Sequence, residues 1–215
     1  MEAGAGATPP PPPRSVSART AEAAAGVARQ RIAQPNGWWG MALFLCAEVT
    51  LFGTLISTYF YLNFGSTGWP PAPIQPPAVA APLITVTCLV VTSVPMALSV
   101  RAARRAQTAR VIWLILLAFA IQLGYLVVST YLMVGDLHRF LPSGSAYGSI
   151  YYTLLVTHDA HVLLGLMLSA AIVSQILARG LTNYWLIGVR GLALYWYVVN
   201  ALAVLVVLTQ LSPSL

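Results

Sequence analysis

The sequence predicts an all-α polytopic membrane protein with five transmembrane helices, the N-terminus inside and the C-terminus outside. Composition is the first reason: of 215 residues, 58% are hydrophobic and only 7% are charged, whereas a soluble domain carries about 25% charged residues. The second is recurrence. Apolar runs fall at about 38–62, 79–100, 111–134, 149–177 and 184–211, and about 20 apolar residues in a helix cross a ~30 Å hydrocarbon core. The third is where the positive charge lies. Every basic residue is Arg, and Arg139 is the only one that does not fall in the N-terminal tail, the second-to-third connection or the region around the fourth-to-fifth connection. The positive-inside rule then puts the tail in the cytoplasm. The net charge of +6 therefore reports topology, and no nucleic-acid partner is expected.

Residues 1–35 read as a disordered, Pro- and Ala-rich cytoplasmic tail. Pro9–Pro13 is polyproline, and the segment has too little apolar surface to fold alone. It lacks the short apolar core and cleavage site of a secretory signal. Within it, Ala18–Ile32 has the arginines for a helix lying on the membrane surface. The membrane domain occupies residues 36–215. Its first span, Trp38–Leu62, has Trp38, Trp39, Tyr59 and Tyr61 at its two ends, as an aromatic belt would. Asn63–Pro77 is too rich in Gly and Pro for a helix and should lie outside as an extended cap.

The second span carries Thr85, Thr87, Thr92 and Ser93. These hydroxyls serve either a helix–helix interface or their own helix backbone. Pro95 should kink its inner third, and Arg101, Arg104, Arg105 and Arg110 form a basic loop. The third span holds Gln122 near its middle, where an amide needs a partner on another helix. The loop Gly135–Gly148 follows, with Asp136, His138 and Arg139. The fourth span contains Thr157-His158-Asp159-Ala160-His161, and the fifth has Arg190 near its start and Asn200 near its middle. Cys46 and Cys88 read as small buried hydrophobes.

Depth brings some of these residues together. Glu48 lies about ten residues from the inner end of its span and His158 about nine from the outer end of an antiparallel one, so both fall within roughly 5 Å of each other in depth near mid-bilayer. His161, three residues on, shares the face of His158, and Gly165 continues that face and leaves room for a neighbouring helix. Asp159 points about 100° away. Gln122 and Asn200 are at similar depth. The spacing thus predicts an interhelical polar cluster of Glu48, His158, His161, Gln122 and Asn200.

Intramembrane ionisable groups normally face protein and mark function. A haem held between two helices does not fit two His on one face of one helix. A metal site could use a carboxylate and two His, but the repeated Glu-x-x-His pattern of di-iron bundles is absent. A proton pathway remains open, as does a hydrogen-bonded Glu–His pair that pins helices without turnover. No catalytic and no metal-binding residue is expected.

Three segments resemble one family. Trp38–Gly53, WWGMALFLCAEVTLFG, is similar to the first conserved span of the five-helix bacterial form of subunit III of haem–copper (cytochrome c) oxidases, with its Trp-Gly pair, aromatic and Glu. YGSIYYTLLVTHDAHVLLG resembles the family's Tyr-Gly-Ser…Thr-Gly-x-His-Gly-x-His-Val…Gly, with Tyr147, Gly148, Ser149, His158, His161, Val162 and Gly165 in place. YWYVVN resembles Tyr-Trp-His-x-Val-Asp through Tyr195, Trp196 and Val199. There are departures. Tyr197 stands for His, Asn200 for Asp and Asp159 for Gly. Arg190 lies where many members have an acid, and Ser129–Leu132 replaces Gln-x-x-Glu.

The resemblance implies an accessory subunit without cofactors of its own in aerobic respiration, haem and copper belonging to subunits I and II. It implies packing on subunit I, phospholipid held between helices, support of proton uptake and enzyme lifetime, and the inner (plasma) membrane. The lipid contacts would come from Trp38, Trp39, Arg101 and Arg190. A nitric oxide reductase subunit and a small stand-alone proton-conducting transporter are the alternatives.

Overall fold

The computed structural model describes residues 36–75, 79–180 and 183–214. The tail, with the surface helix expected over Ala18–Ile32, lies outside the described residues. Every regular element is helical: α1 Asn36–Phe64, α2 Ala80–Val91, α3 Ser93–Arg104, α4 Thr108–Leu137, α5 Ala146–Arg179 and α6 Asn183–Leu211, with short 3-10 turns at Pro142–Gly144 and Ser212–Ser214. Taken with α2 and α3 as one span, five helical segments among the described residues are long and apolar enough to cross a membrane. The chain is a multi-pass membrane protein.

The second to fifth spans close on themselves. α3 packs on α4 and α6, α4 on α5, and α5 on α6, while α2 touches both α4 and α6. Each span therefore has two neighbours in a four-membered ring. α1 lies against the α5–α6 side, where Phe44 stacks on Tyr195 at 6.3 Å and the Phe52 ring meets His161 at 5.2 Å.

The contact of α1 is a narrow seam. Met41, Leu45, Glu48, Phe52, Leu55, Tyr59 and Leu62 are all buried or half-buried, while most of the helix is exposed. They recur at alternating steps of four and three, the 3.5-residue period of a coiled-coil contact. Glu48 occupies one of these positions, in line with Leu45 and Phe52.

The second span breaks at Thr92, three residues before the proline that causes it. Pro95 has no N–H to give the carbonyl of Val91, and its ring crowds that carbonyl. The backbone answers with a tighter bond from Thr92 N to Leu89 O at 3.0 Å, and helix resumes with Met96 N to Thr92 O at 3.2 Å. Both proposed uses of the hydroxyls occur. Thr85 and Thr87 bond their own backbone, whereas Thr92 and Ser93 also take side chains from other helices.

Two expectations need correction. α4 runs to Leu137 and α5 begins at Ala146, so the loop expected over Gly135–Gly148 is shorter. The reason is an N-cap: the Ser145 hydroxyl accepts from Gly148 N at 3.0 Å, satisfying one of the donors that a helix start leaves free. Gly148 therefore sits in the first turn, where a Cβ would come within 2.6 Å of the Leu141 carbonyl oxygen. The second concerns Cys46 and Cys88, which are exposed on the outside of the bundle. An apolar run in a membrane protein is as apolar toward lipid as toward protein, so it does not say which way a thiol faces.

Residues 65–75 form no helix. They fold over an aromatic group in which Trp69 stands edge-on to Tyr59 at 5.3 Å and to Tyr147 at 5.1 Å.

Candidate functional site: polar contacts between the spans

The first and fourth spans meet through a charge-bearing pair. Glu48 Oε2 lies 2.5 Å from His161 Nε2. The other ring nitrogen, Nδ1, is 2.6 Å from the Thr157 carbonyl oxygen. A carbonyl only accepts, so Nδ1 carries a hydrogen. The remaining proton must then lie in the Glu48–His161 contact, either on the carboxyl or on Nε2. In both forms the pair has no net charge, which suits a position inside a bilayer. Tyr195 fixes the helix turn behind it, its hydroxyl donating to the His161 carbonyl at 2.7 Å. Each member of the pair keeps 14% of its side chain exposed, so the clasp is mostly but not fully enclosed.

His158 is not part of that contact. It is 1% exposed and neither ring nitrogen has a hydrogen-bond partner. Its ring sits between Phe52 at 6.4 Å and Tyr125 at 5.8 Å, both edge-on. Matching depth brought both His near Glu48, but the rotation of α5 about its axis gives the contact to His161 alone.

Gln122 and Asn200 also stand apart from Glu48. They converge on the broken second span, where Gln122 Nε2 donates to Thr92 Oγ1 at 3.3 Å and Asn200 Nδ2 to Ser93 Oγ at 2.9 Å. Asn200 Nδ2 also lies 3.3 Å from Thr92 Oγ1. The break is thus the junction of the second, third and fifth spans. The single cluster expected is instead a Glu48–His161 pair and a Gln122–Asn200 group, with His158 apart from both.

A third contact was not foreseen. Asp159 is buried, and its two carboxylate oxygens lie 3.0 and 2.9 Å from the Ser129 hydroxyl. The signal was present. An acid inside a span faces protein by default, and Ser129 lies on the same face of α4 as Gln122 and Tyr125, at steps of three and four residues. Nearer the α4–α5 connection, Tyr151 donates to Asp136 Oδ2 at 2.9 Å.

α5 and α6 are locked by Gly165. A Cβ there would stand 2.6 Å from a ring carbon of Trp196 and 2.8 Å from one of Tyr195. Trp196 Nε1 donates to Ser169 Oγ at 3.1 Å, and Ser169 donates to the Gly165 carbonyl at 2.8 Å. The helix expected beside Gly165 is therefore α6.

Of the residues expected to meet lipid, Trp38 is half-buried and Trp39 exposed, their rings 5.1 Å apart and perpendicular. Arg101, in the last turn of α3, and Arg190, near the start of α6, are both exposed. Among the described residues no three His, Cys, Asp or Glu side chains are grouped to hold a metal ion.

The segments joined by these contacts are those that carried the family resemblance. A family model for cytochrome c oxidase subunit III matches residues 21–211. The chain is 27% identical over 173 residues to the cytochrome c oxidase subunit 3 of Bacillus subtilis (strain 168), covering 80% of this chain and 83% of that protein. It is 28% identical over 162 residues to the quinol oxidase subunit 3 of the same organism, with 75% and 78% covered. It is also 28% identical over 173 residues to the cytochrome c oxidase subunit 3 of Bacillus sp. (strain PS3), with 80% and 83% covered. From the tail to the end of α6, then, the chain belongs to the cytochrome c oxidase subunit III family.

Proposed function

We propose that this chain is the accessory subunit III of a haem–copper terminal oxidase in aerobic respiration, packed on subunit I, in a complex with subunit II, in the plasma membrane. It carries no redox group of its own, binds phospholipid, and supports proton uptake and the working life of the enzyme. The observation that carries the reading is the family match, strengthened by the contact of its two signature segments through Glu48 and His161. Trp38, Trp39, Arg101 and Arg190 are the proposed lipid contacts. Indole rings and guanidinium groups at a membrane surface suit a phosphate headgroup and its glycerol backbone.

The test is to purify the tagged chain in mild detergent and record a visible spectrum. A haem Soret band should accompany it together with larger chains, and should leave with them when a harsher detergent strips the complex. A haem-free chain that alone conducts protons in liposomes would overturn the reading in favour of a stand-alone transporter. Because relatives include both cytochrome c and quinol oxidase subunits, assaying the purified complex with each donor identifies its electron source.

Orientation is proposed from the arginines. The N-terminus faces the cytoplasm, so a reporter fused after Leu215 should score extracytoplasmic and one placed between Arg105 and Arg110 cytoplasmic. The opposite pattern would reverse the topology.

A further inference from the structure

Asp159 has fewer partners than a buried carboxylate requires. It is 8% exposed, and both of its oxygens look to the same Ser129 hydroxyl, which has a single hydrogen to give. Among the described residues no cation pairs with it. An ionised carboxylate held this way in a membrane interior is costly.

A cavity lies beside its one partner, Ser129. Tyr125 and Ser129 line a cavity of about 440 Å³ that extends along α4 to Asp136, His138 and Arg139. His138 and Arg139 are exposed at the α4–α5 connection. Ser129, which lines the cavity, is also the residue bonded to the Asp159 oxygens. On the other side, the neighbouring His158 is sealed, with both ring nitrogens lacking partners, and Tyr125 stands against its ring.

Ser129 and Asp159 are also both departures from the family pattern, and they touch. Ser129 stands for the Gln of that pattern, Leu132 for its Glu, and Asp159 for a Gly; the contact joins the first and third of these positions.

We infer that Asp159, held by Ser129, is a proton-binding site at the floor of this cavity, open to the aqueous phase at the α4–α5 connection. The proton enters on the carboxylate oxygen that Ser129 does not hold. It leaves by the same route to cavity water; only O–H bonds form and break. The groups facing the site are Tyr125 and Ser129 from α4; the residues of α2 and α6 that line the cavity, Ala81, Pro82, Thr85, Val207 and Gln210, carry no charge, and His158 is the chain neighbour of Asp159 on α5. Beyond His158 lies His161, bound to Glu48 of α1. Asp136 at the mouth is already engaged by Tyr151 at 2.9 Å, with Arg139 at 3.9 Å. Asp159 is therefore the carboxyl left free to exchange.

The inference concerns this chain's own carboxyl and stands whether or not the partner is an oxidase. Its test is infrared difference spectroscopy of the full chain, in whatever complex it is purified, embedded in lipid nanodiscs and perfused with H₂O, D₂O and buffers of different pH. Carbon-13-labelled aspartate identifies aspartic acid bands. A protonated-carboxyl band is expected that shifts in D₂O within minutes and is lost as the pH rises. Asp159→Asn should remove it. Ser129→Ala should keep the band and move its frequency, which assigns it even if Asp159→Asn does not accumulate. A labelled band that ignores D₂O for hours, or no band that responds to Ser129→Ala at any pH, would overturn the inference.

Discussion

Gly165→Leu is expected to strip the protein from the membrane, and Gly165→Ala to weaken it measurably. The site has no slack. The first added carbon already comes within 2.6–2.9 Å of the Trp196 and Tyr195 rings, and both residues are 0% exposed. Neither ring is free to swing away. Trp196 is tied to Ser169, and Tyr195 to the His161 carbonyl. Overpacking of a filled core costs about 1–3 kcal/mol for modest additions, so alanine should lower the melting temperature of the purified subunit while leaving it assembled. Leucine must part α5 from α6. That also displaces Tyr195 and, through it, the turn that presents His161 to Glu48. Gly124→Ala is the control, because nothing lies within 4 Å of a Cβ there. Membrane content by immunoblot and melting of the purified protein provide the measurements. Normal accumulation of Gly165→Leu would mean that the α5–α6 contact is not the lock described here.

The prediction rests on a contact that the sequence half disclosed. Gly165 announced a close approach but not its partner. The same division holds throughout the fold. Length and hydropathy give the number of spans, because crossing a bilayer imposes a minimum apolar length on each helix. Residue counts then give depth, which placed Glu48 level with the two His. They do not give rotation. In a soluble bundle the polar face of each helix reveals how it is turned. Here the lipid face of α1 is as apolar as its seam, so Leu43 and Leu51, both exposed, look no different from Leu45, which is buried. The 3.5-residue period through Leu45, Glu48, Phe52 and Tyr59 was present but drowned by its surroundings. For the same reason depth could not decide between His158 and His161, nor separate Gln122 and Asn200 from Glu48. Their true partner was the helix break, whose exact geometry depends on how Pro95 reroutes the backbone around Thr92. Asp159 was legible in principle. An acid in a span needs an explanation wherever it points, and Ser129 was the hydroxyl at matching depth.

Glu48→Ala should loosen the first span while leaving the four-span ring folded. α1 is held by one narrow seam, and among the described residues Glu48 supplies its one side-chain hydrogen bond to α5. Removing the carboxyl leaves His161 Nε2 without a partner in a mostly buried position, at a cost of about 1–3 kcal/mol. The loss falls on α1, since Nδ1 keeps its bond to Thr157 and the His161 carbonyl keeps the Tyr195 hydroxyl. Glu48→Gln should be milder, because its amide can donate to the lone pair of a neutral Nε2. It cannot share a proton, so comparing the two variants separates the hydrogen bond from the proton. A double-mutant cycle with His161→Phe gives the coupling directly, and a coupling near zero would mean that the 2.5 Å contact contributes nothing to holding the helix. In the purified complex, the proposed accessory role predicts that initial electron transfer survives in Glu48→Ala, while subunit retention falls and the rate decays sooner over repeated turnovers. Full retention and undiminished lifetime would remove the clasp from any account of how this subunit works. Loss of the initial rate with every subunit in place would make Glu48 part of the catalytic machinery and end the accessory reading.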